Sequence, residues 1–119
     1  MKYALLIYAT PGERERSAAE QTETWLDYIR AIRESGVLLA AEQLTGTDTA
    51  TSVRVRGGDR LVTDGPFMET KEHLLGFFLI DVPDLDTALD WAARMPNTAY
   101  GTTEVRAAVS GRPWQALLG

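Results

Sequence analysis

The 119-residue sequence predicts an α+β fold, a ferredoxin-like protomer with the element order β-α-β-(hairpin)-β-α-β that pairs into a dimeric α+β barrel. Two observations predict it. Short apolar runs typical of strands alternate with two segments of helical hydrophobic spacing, and the most apolar runs carry hydrophobic residues on both faces. A strand with one solvated face would instead alternate apolar with polar residues.

The first half of the chain predicts a strand, a helix and a second strand. Lys2–Ala9 is a short apolar run that ends at a Thr-Pro-Gly sequence, as buried strands often do. We expect a charged loop at residues 13–16 and then a helix that begins at Ser17 and ends at Gly36. Glycine suits a helix end because it accepts the left-handed conformation without strain. Residues 37–44 predict the second strand.

The second half predicts a hairpin, a strand, a helix and a last strand. Residues 52–56 and 60–63 alternate with period two around a pair of glycines, which predicts a β-hairpin. Residues 74–82 form the most apolar strand. Asp84 is the expected N-cap of the second helix, whose apolar residues follow helical spacing. Residues 103–109 form the last strand.

The apolar strands are hydrophobic on both sides. In the first strand, Leu5 and Ile7 on one face alternate with Leu6 on the other, and the strand at 74–82 repeats this pattern. Two helices cannot cover both faces of the sheet. The simplest solution is a second copy that packs sheet to sheet, so we predict a homodimer.

Composition excludes several classes of protein. The chain has 12 basic and 17 acidic residues, one histidine and no cysteine. An acidic balance argues against a nucleic-acid partner, since phosphates are neutralised by clustered Lys and Arg. The absence of cysteine excludes disulfides and thiolate metal sites. We expect a soluble, cytoplasmic, single-domain protein with no membrane segment, no metal and no cofactor.

The segment that follows the hairpin holds the densest set of reactive side chains. Pro66 restrains Gly65, so Asp64 is held at a strand end near the apolar side chain of Phe67. A carboxylate in such a position is a candidate general acid or base, with Lys71 as its electrostatic partner. The alternative is that Asp64 makes an Asx turn to its own backbone and that Lys71 is solvated.

Four further side chains are candidates for the same cleft. His73 is the only imidazole and could relay a proton with Asp64 or Glu72, or it could be a partly packed edge residue. Glu42 is a charged residue within an apolar strand. Its side chain either points into a cleft or lies in water at the end of the strand. Tyr8 could offer its hydroxyl to a polar ligand, or it could be a core aromatic with a wet tip.

Several short strings, in matching order, carry a resemblance to a known family. They are Met1-Lys2-Tyr3, Leu5-Leu6-Ile7-Tyr8, Asp64-Gly65-Pro66-Phe67, Glu69-Thr70-Lys71-Glu72, Gly76-Phe77-Phe78, Tyr100-Gly101 and Glu104-Val105-Arg106. In these strings the sequence resembles the YCII-related proteins, and more narrowly the branch called DGPF-domain proteins. The resemblance covers residues 1–109, which we take as the domain. Residues 110–119 are then a C-terminal tail that packs on the domain or on the dimer partner.

The resemblance implies a dimeric α+β barrel with a small-molecule cleft between helix and sheet. The wider family is thought to use a His–Asp pair with the histidine on the first helix, a position that falls near Trp25 here. One hypothesis is an acid–base enzyme. The other is a non-catalytic regulatory protein associated with an extracytoplasmic-function sigma factor. Asp64 and Lys71 are the catalytic candidates, and the ligand-binding candidates are Tyr8, Glu42, Gly65, Pro66, Phe67, Glu72 and His73.

Overall fold

A computed structural model describes residues 1–111 and 113–118, without the side chains of residues 17–19 and 115. The helices and strands in chain order are β1 Lys2–Ala9, α1 Pro11–Glu20, α2 Thr22–Glu34, β2 Leu38–Gln43, β3 Thr51–Arg56, β4 Asp59–Asp64, β5 His73–Asp81, α3 Leu85–Ala93, β6 Thr102–Ala107 and α4 Pro113–Leu118. Two 3-10 helices, Thr47–Thr49 and Pro96–Ala99, lie in the connections.

Four strands form one antiparallel sheet in the order β2-β5-β1-β6. The central strand β1 pairs with β5 and β6, and β5 also pairs with β2. The chain crosses from β1 to β2 through α2 and from β5 to β6 through α3. This arrangement confirms the predicted ferredoxin-like α+β fold.

The core lies between one face of the sheet and the helices α2 and α3. Leu5 of β1 and Ile80 of β5 are completely buried, as are Ile32 of α2 and Ala88 of α3. Burial of each large aliphatic side chain contributes about 1.5–3 kcal/mol. The buried residues of α3, Ala88 and Ala92, are small, so this helix can approach the sheet closely. It covers the same face of the sheet as α2.

The opposite face of the sheet has no covering layer in the described chain. Leu6, Phe77 and Leu79 lie on this face and are only half-buried. The molecule measures 47 × 40 × 18 Å, and its Cα radius of gyration of 16.3 Å exceeds the value of about 13.5 Å expected for a compact domain of this length. The protein is therefore a thin slab with an apolar surface on its open side.

Strands β3 and β4 form the predicted hairpin as a separate two-stranded sheet. Gly57 and Gly58 occupy its turn with φ of 56° and 84°, the pair of positive values that a type I′ turn requires. Val53 and Val62 face each other across the strands and are largely exposed. An isolated two-stranded hairpin is at best marginally stable in water, so this one depends on its surroundings.

The region before α2 differs from the sequence-based expectation. Residues 13–16, predicted as a charged loop, lie in α1, which begins at Pro11. The single helix predicted from Ser17 to Gly36 is instead divided at Gln21 between α1 and α2. Thr10 explains the early start because its Oγ1 accepts a hydrogen bond from the Glu13 N–H at 3.3 Å. Proline is favoured at the first helical position because its missing N–H has no partner to lose there.

The other helix ends agree with the sequence. Gly36 follows α2 with φ of 83°, as expected of a glycine that closes a helix. Asp84 caps α3, since its Oδ1 accepts from the Thr87 N–H at 2.8 Å and from the Thr87 hydroxyl at 2.7 Å. These hydrogen bonds lower the pKa of the Asp84 carboxyl. Within residues 1–111 and 113–118, no helix combines the length and apolarity needed to cross a bilayer.

Candidate functional site

A cavity of about 420 Å³ lies between α2 and the helix-covered face of the sheet. Its walls are mainly apolar and include Trp25 and Ile29 from α2, Ile7 from β1 and Phe78 from β5. Ligand pockets typically have volumes of about 300–1,000 Å³ and apolar walls with a few polar groups. The cavity is therefore large enough for one small organic molecule.

An irregularity in the sheet shapes the wall of this cavity. The pairing of β1 with β5 shifts between Ile7 and Tyr8, which leaves Leu75 as an extra residue on β5. The next residue, Gly76, lies so close to β2 that an added Cβ would be 2.7 Å from the carbonyl oxygen of Glu42. Bulges of this kind commonly redirect side chains next to functional sites. Here both Leu75 and Gly76 line the cavity.

An aromatic cluster holds α2 against the sheet beside the cavity. The ring centroids of Trp25 and Phe78 lie 6.4 Å apart, and Tyr28 meets Phe78 edge to face at 5.8 Å. The Tyr28 hydroxyl donates a 2.8 Å hydrogen bond to the backbone carbonyl of Trp91 on α3. Burial raises the pKa of the Tyr28 hydroxyl, while the charge of Arg94 acts in the opposite direction. The cluster fixes the position of the Trp25 wall.

Two polar side chains interrupt the apolar lining. Arg14 donates through Nη2 to the carbonyl oxygen of Leu44, but its Nη1 is buried without a partner among the described residues. Asn97 is only 1% exposed and donates through Nδ2 to the Thr102 carbonyl at 3.2 Å and to the Thr103 hydroxyl at 3.0 Å. Its Oδ1 is likewise buried and unpaired within the described part of the chain.

Sequence reasoning missed both of these residues. Arg14 lies in the segment predicted as a charged loop. Thr10 followed by Pro11 is a signal for a helix start, and this signal would have placed Arg14 on a helix. No local sequence signal marks Asn97 as a site residue, because its hydrogen-bond acceptors belong to the later strand β6. Trp25, which lies near the position where the resemblance implies a histidine, is also part of the cavity wall.

A second, more open depression adjoins the first and has a more polar lining. It brings together Tyr8, Lys71 and Glu72, three of the predicted site residues. The Glu72 carboxylate accepts a hydrogen bond from the Thr102 hydroxyl at 3.1 Å. Tyr100 lines both cavities, so the two are neighbours.

The Asp-Gly-Pro segment lies on the hairpin and outside both cavities. Asp64 is the exposed last residue of β4. Gly65 has φ of 101° and donates from its N–H to the Ala50 carbonyl at 2.7 Å, while its own carbonyl accepts from the Ser52 hydroxyl at 2.9 Å. These bonds fix the chain direction before Pro66, which is also exposed.

The remaining candidates are dispersed. Phe67 is 68% exposed, with the Arg54 guanidinium 5.0 Å from the centre of its ring. His73 is half-buried, and its Nδ1 lies 3.0 Å from the Thr47 hydroxyl. Glu42 lines the first cavity with an exposed side chain. Across the described residues, no three Asp, Glu or His side chains are grouped closely enough to hold a metal ion.

Comparison with known proteins identifies relatives of the chain by sequence and by fold. A model of the YCII-related domain matches residues 1–112. An uncharacterised protein of Rhizobium meliloti (strain 1021) is 38% identical over 112 residues, which cover 89% of this chain and 90% of that protein. The structure of 5-chloro-2-hydroxyhydroquinone dehydrochlorinase from Burkholderia phenoliruptrix AC1100, in complex with 2,5-dihydroxybenzoquinone, matches with a TM-score of 0.60 at 13% identity, over 93% of this chain and 96% of that one. This last likeness concerns the fold.

The buried Tyr28 hydroxyl predicts a specific loss of stability at alkaline pH. Because its pKa is raised in the folded protein, the hydroxyl stays protonated there while the unfolded chain ionises above pH about 10. Folding stability should therefore fall as the pH rises above 10. Urea unfolding at pH 8 and pH 11 should show a loss about 1 kcal/mol larger in the wild type than in Tyr28→Phe. Equal losses in both proteins would contradict the assignment.

Proposed function

We propose that this chain, which belongs to the YCII-related domain family, binds a small ring-containing molecule in the cavity between α2 and the sheet. The observation that carries the proposal is the aromatic wall formed by Trp25 and Phe78 around a volume of about 420 Å³. Flat apolar rings pack well against aromatic side chains. The ligand named for the structural neighbour, 2,5-dihydroxybenzoquinone, is a flat six-membered ring that carries polar oxygens, and it supports the choice of a ring compound.

The acid–base role of Asp64 and Lys71 remains a secondary proposal. Its support is the stiff turn at Gly65 and Pro66, which holds Asp64 at a strand end. In a single chain, however, Asp64 is exposed and outside both cavities, whereas Lys71 lines the second. Ligand binding therefore carries the proposed function, and catalysis would be an addition to it.

We also propose that the functional unit is a homodimer in which two open sheet faces pack together. The support is the apolar open face around Leu6, Phe77 and Leu79 and the 18 Å thickness of the slab. Contiguous apolar patches on a protein surface often mark sites of association with another protein. A second copy is self-complementary to this face by two-fold symmetry.

A non-catalytic regulatory role with an extracytoplasmic-function sigma factor is the second candidate. One observation favours a protein partner: α4 presents Trp114, Leu117 and Leu118 with 78%, 89% and 81% of their surfaces exposed. Tryptophan is enriched at the energetic centres of protein interfaces. The tail would then bind another protein, and the cavity ligand would be the signal.

Filling the cavity should abolish ligand binding. Ala41→Phe adds a ring to the cavity wall, so we expect 2,5-dihydroxybenzoquinone and phenol to bind at least tenfold more weakly, as measured by saturation-transfer NMR and titration. Ala93→Phe adds the same bulk at an exposed position of α3 and should leave binding unchanged. Circular dichroism verifies that both variants are folded. Absence of ring-compound binding to the wild type at millimolar concentration would refute the proposal, as would equal binding to the Ala41→Phe variant.

A charge on the open face should dissociate the dimer. Sedimentation equilibrium at micromolar concentration should show a dimer for the wild type and a monomer for Leu79→Lys, because lysine would have to be desolvated in the interface. Leu89→Lys changes a 45% exposed leucine on α3, in the helix layer, and should remain dimeric. A monomeric wild type would rule the homodimer out.

The tail tests the regulatory candidate. A purified extracytoplasmic-function sigma factor from the same organism should be retained by the full chain and lost when residues 113–118 are deleted, because Trp114 and the two leucines are removed. The truncated protein should keep its dimeric state and its far-ultraviolet circular dichroism. Failure of the full chain to retain the sigma factor, or equal retention by the truncated chain, would count against a tail-mediated partnership.

A further inference from the structure

Two side chains that line the same cavity each have one buried polar atom with no hydrogen-bond partner among the described residues. One is Nη1 of Arg14 and the other is Oδ1 of Asn97. Leaving a buried polar group without a hydrogen-bond partner destabilises the fold, and does so more when the group is charged. A ligand bound in the cavity could supply the missing hydrogen-bond partners to both atoms and so remove this cost.

Both side chains are anchored through their other polar atoms. Asn97 uses its Nδ2 on the carbonyl of Thr102 and the hydroxyl of Thr103, which identifies Oδ1 as the free acceptor. Arg14 uses Nη2 on the carbonyl of Leu44 at the end of β2. The buried atoms left without a partner are therefore one amide oxygen and one guanidinium nitrogen.

The charge of Arg14 is not neutralised by a neighbour in the described part of the chain. The nearby ion pair on α1 joins Arg16 to Glu13, and none of the ion pairs among residues 1–111 and 113–118 involves Arg14. Glu42 lines the same cavity but its side chain is exposed. A partly buried arginine without a counter-ion favours an anionic oxygen, which it binds with a charge-assisted hydrogen bond.

We infer that the cavity binds a small organic anion that also carries a hydroxyl or amine donor, with Arg14 pairing its anionic oxygen and Asn97 accepting from its donor. This inference rests on the proposed ligand binding and adds the chemical class. The apolar walls take a ring, Arg14 selects for a carboxylate or phenolate, and Asn97 selects for a ligand hydrogen. Neither atom is exposed to solvent in the structure, so the inference requires each to become accessible from the cavity by a small shift that keeps the Nη2 and Nδ2 hydrogen bonds.

A series of probe ligands separates these contributions. At pH 7, isothermal titration calorimetry on the wild-type protein should give affinities in the order 4-hydroxybenzoate, benzoate, phenol, with at least tenfold between the first and the last. Arg14→Gln should weaken binding of both benzoates tenfold or more and leave phenol within about twofold. Arg30→Gln, a change at an exposed position of α2, should alter none of them.

The outcomes distinguish this inference from the function on which it rests. If phenol binds but 4-hydroxybenzoate binds no better, or if Arg14→Gln weakens all three equally, the selection for an anion is wrong while ring binding survives. If none of the three binds, the proposed ligand binding itself fails. Should Arg14→Gln not fold, as judged by thermal unfolding, the order of affinities on the wild type decides alone.

Discussion

The antiparallel pairing of β1 with β5 is the constraint on which the rest of the structure depends. These two central strands decide which side chains face the helices, because a shift by one residue would exchange the two faces of the sheet. Their register places Leu5 opposite Phe78 on the covered face and Leu6 opposite Phe77 on the open one. The single irregularity, after Ile7, lies where the cavity begins.

Because of that register, the two faces of the sheet have different surroundings. On the covered face, large side chains at one end pack into a closed core, whereas the bulge and the close approach of β2 at Gly76 leave a space at the other end. The aromatic contacts of Tyr28 with Phe78 and Trp91 hold α2 in place beside that space. On the open face the same strands present an apolar strip around Leu6, Phe77 and Leu79, bordered by charged residues of β2 and β6, and this strip suits association with a second copy.

The fold was largely predictable because its signals are local. Period-two and helical spacing report directly on strands and helices, and the paired glycines at 57 and 58 specify the hairpin turn. The site was predictable only in part. Loop composition pointed to Asp64, but the cavity is assembled by packing between distant segments. Arg14 and Asn97 gain their importance from unpaired atoms, a property that exists only once Leu44, Thr102 and Thr103 are in place.

The side chain at position 25 bears on what kind of chemistry this cavity favours. The resemblance to the wider family implies a histidine near this position, whereas this chain has Trp25, packed against Tyr28 and Phe78 at centroid distances of 6.2 and 6.4 Å. An indole N–H is a donor only and cannot take up a proton as an imidazole does. The aromatic surface instead adds apolar contact for a ring. The roles proposed for Arg14 and Asn97, as a cation and an amide acceptor, likewise concern recognition of a ligand and not transfer of its protons.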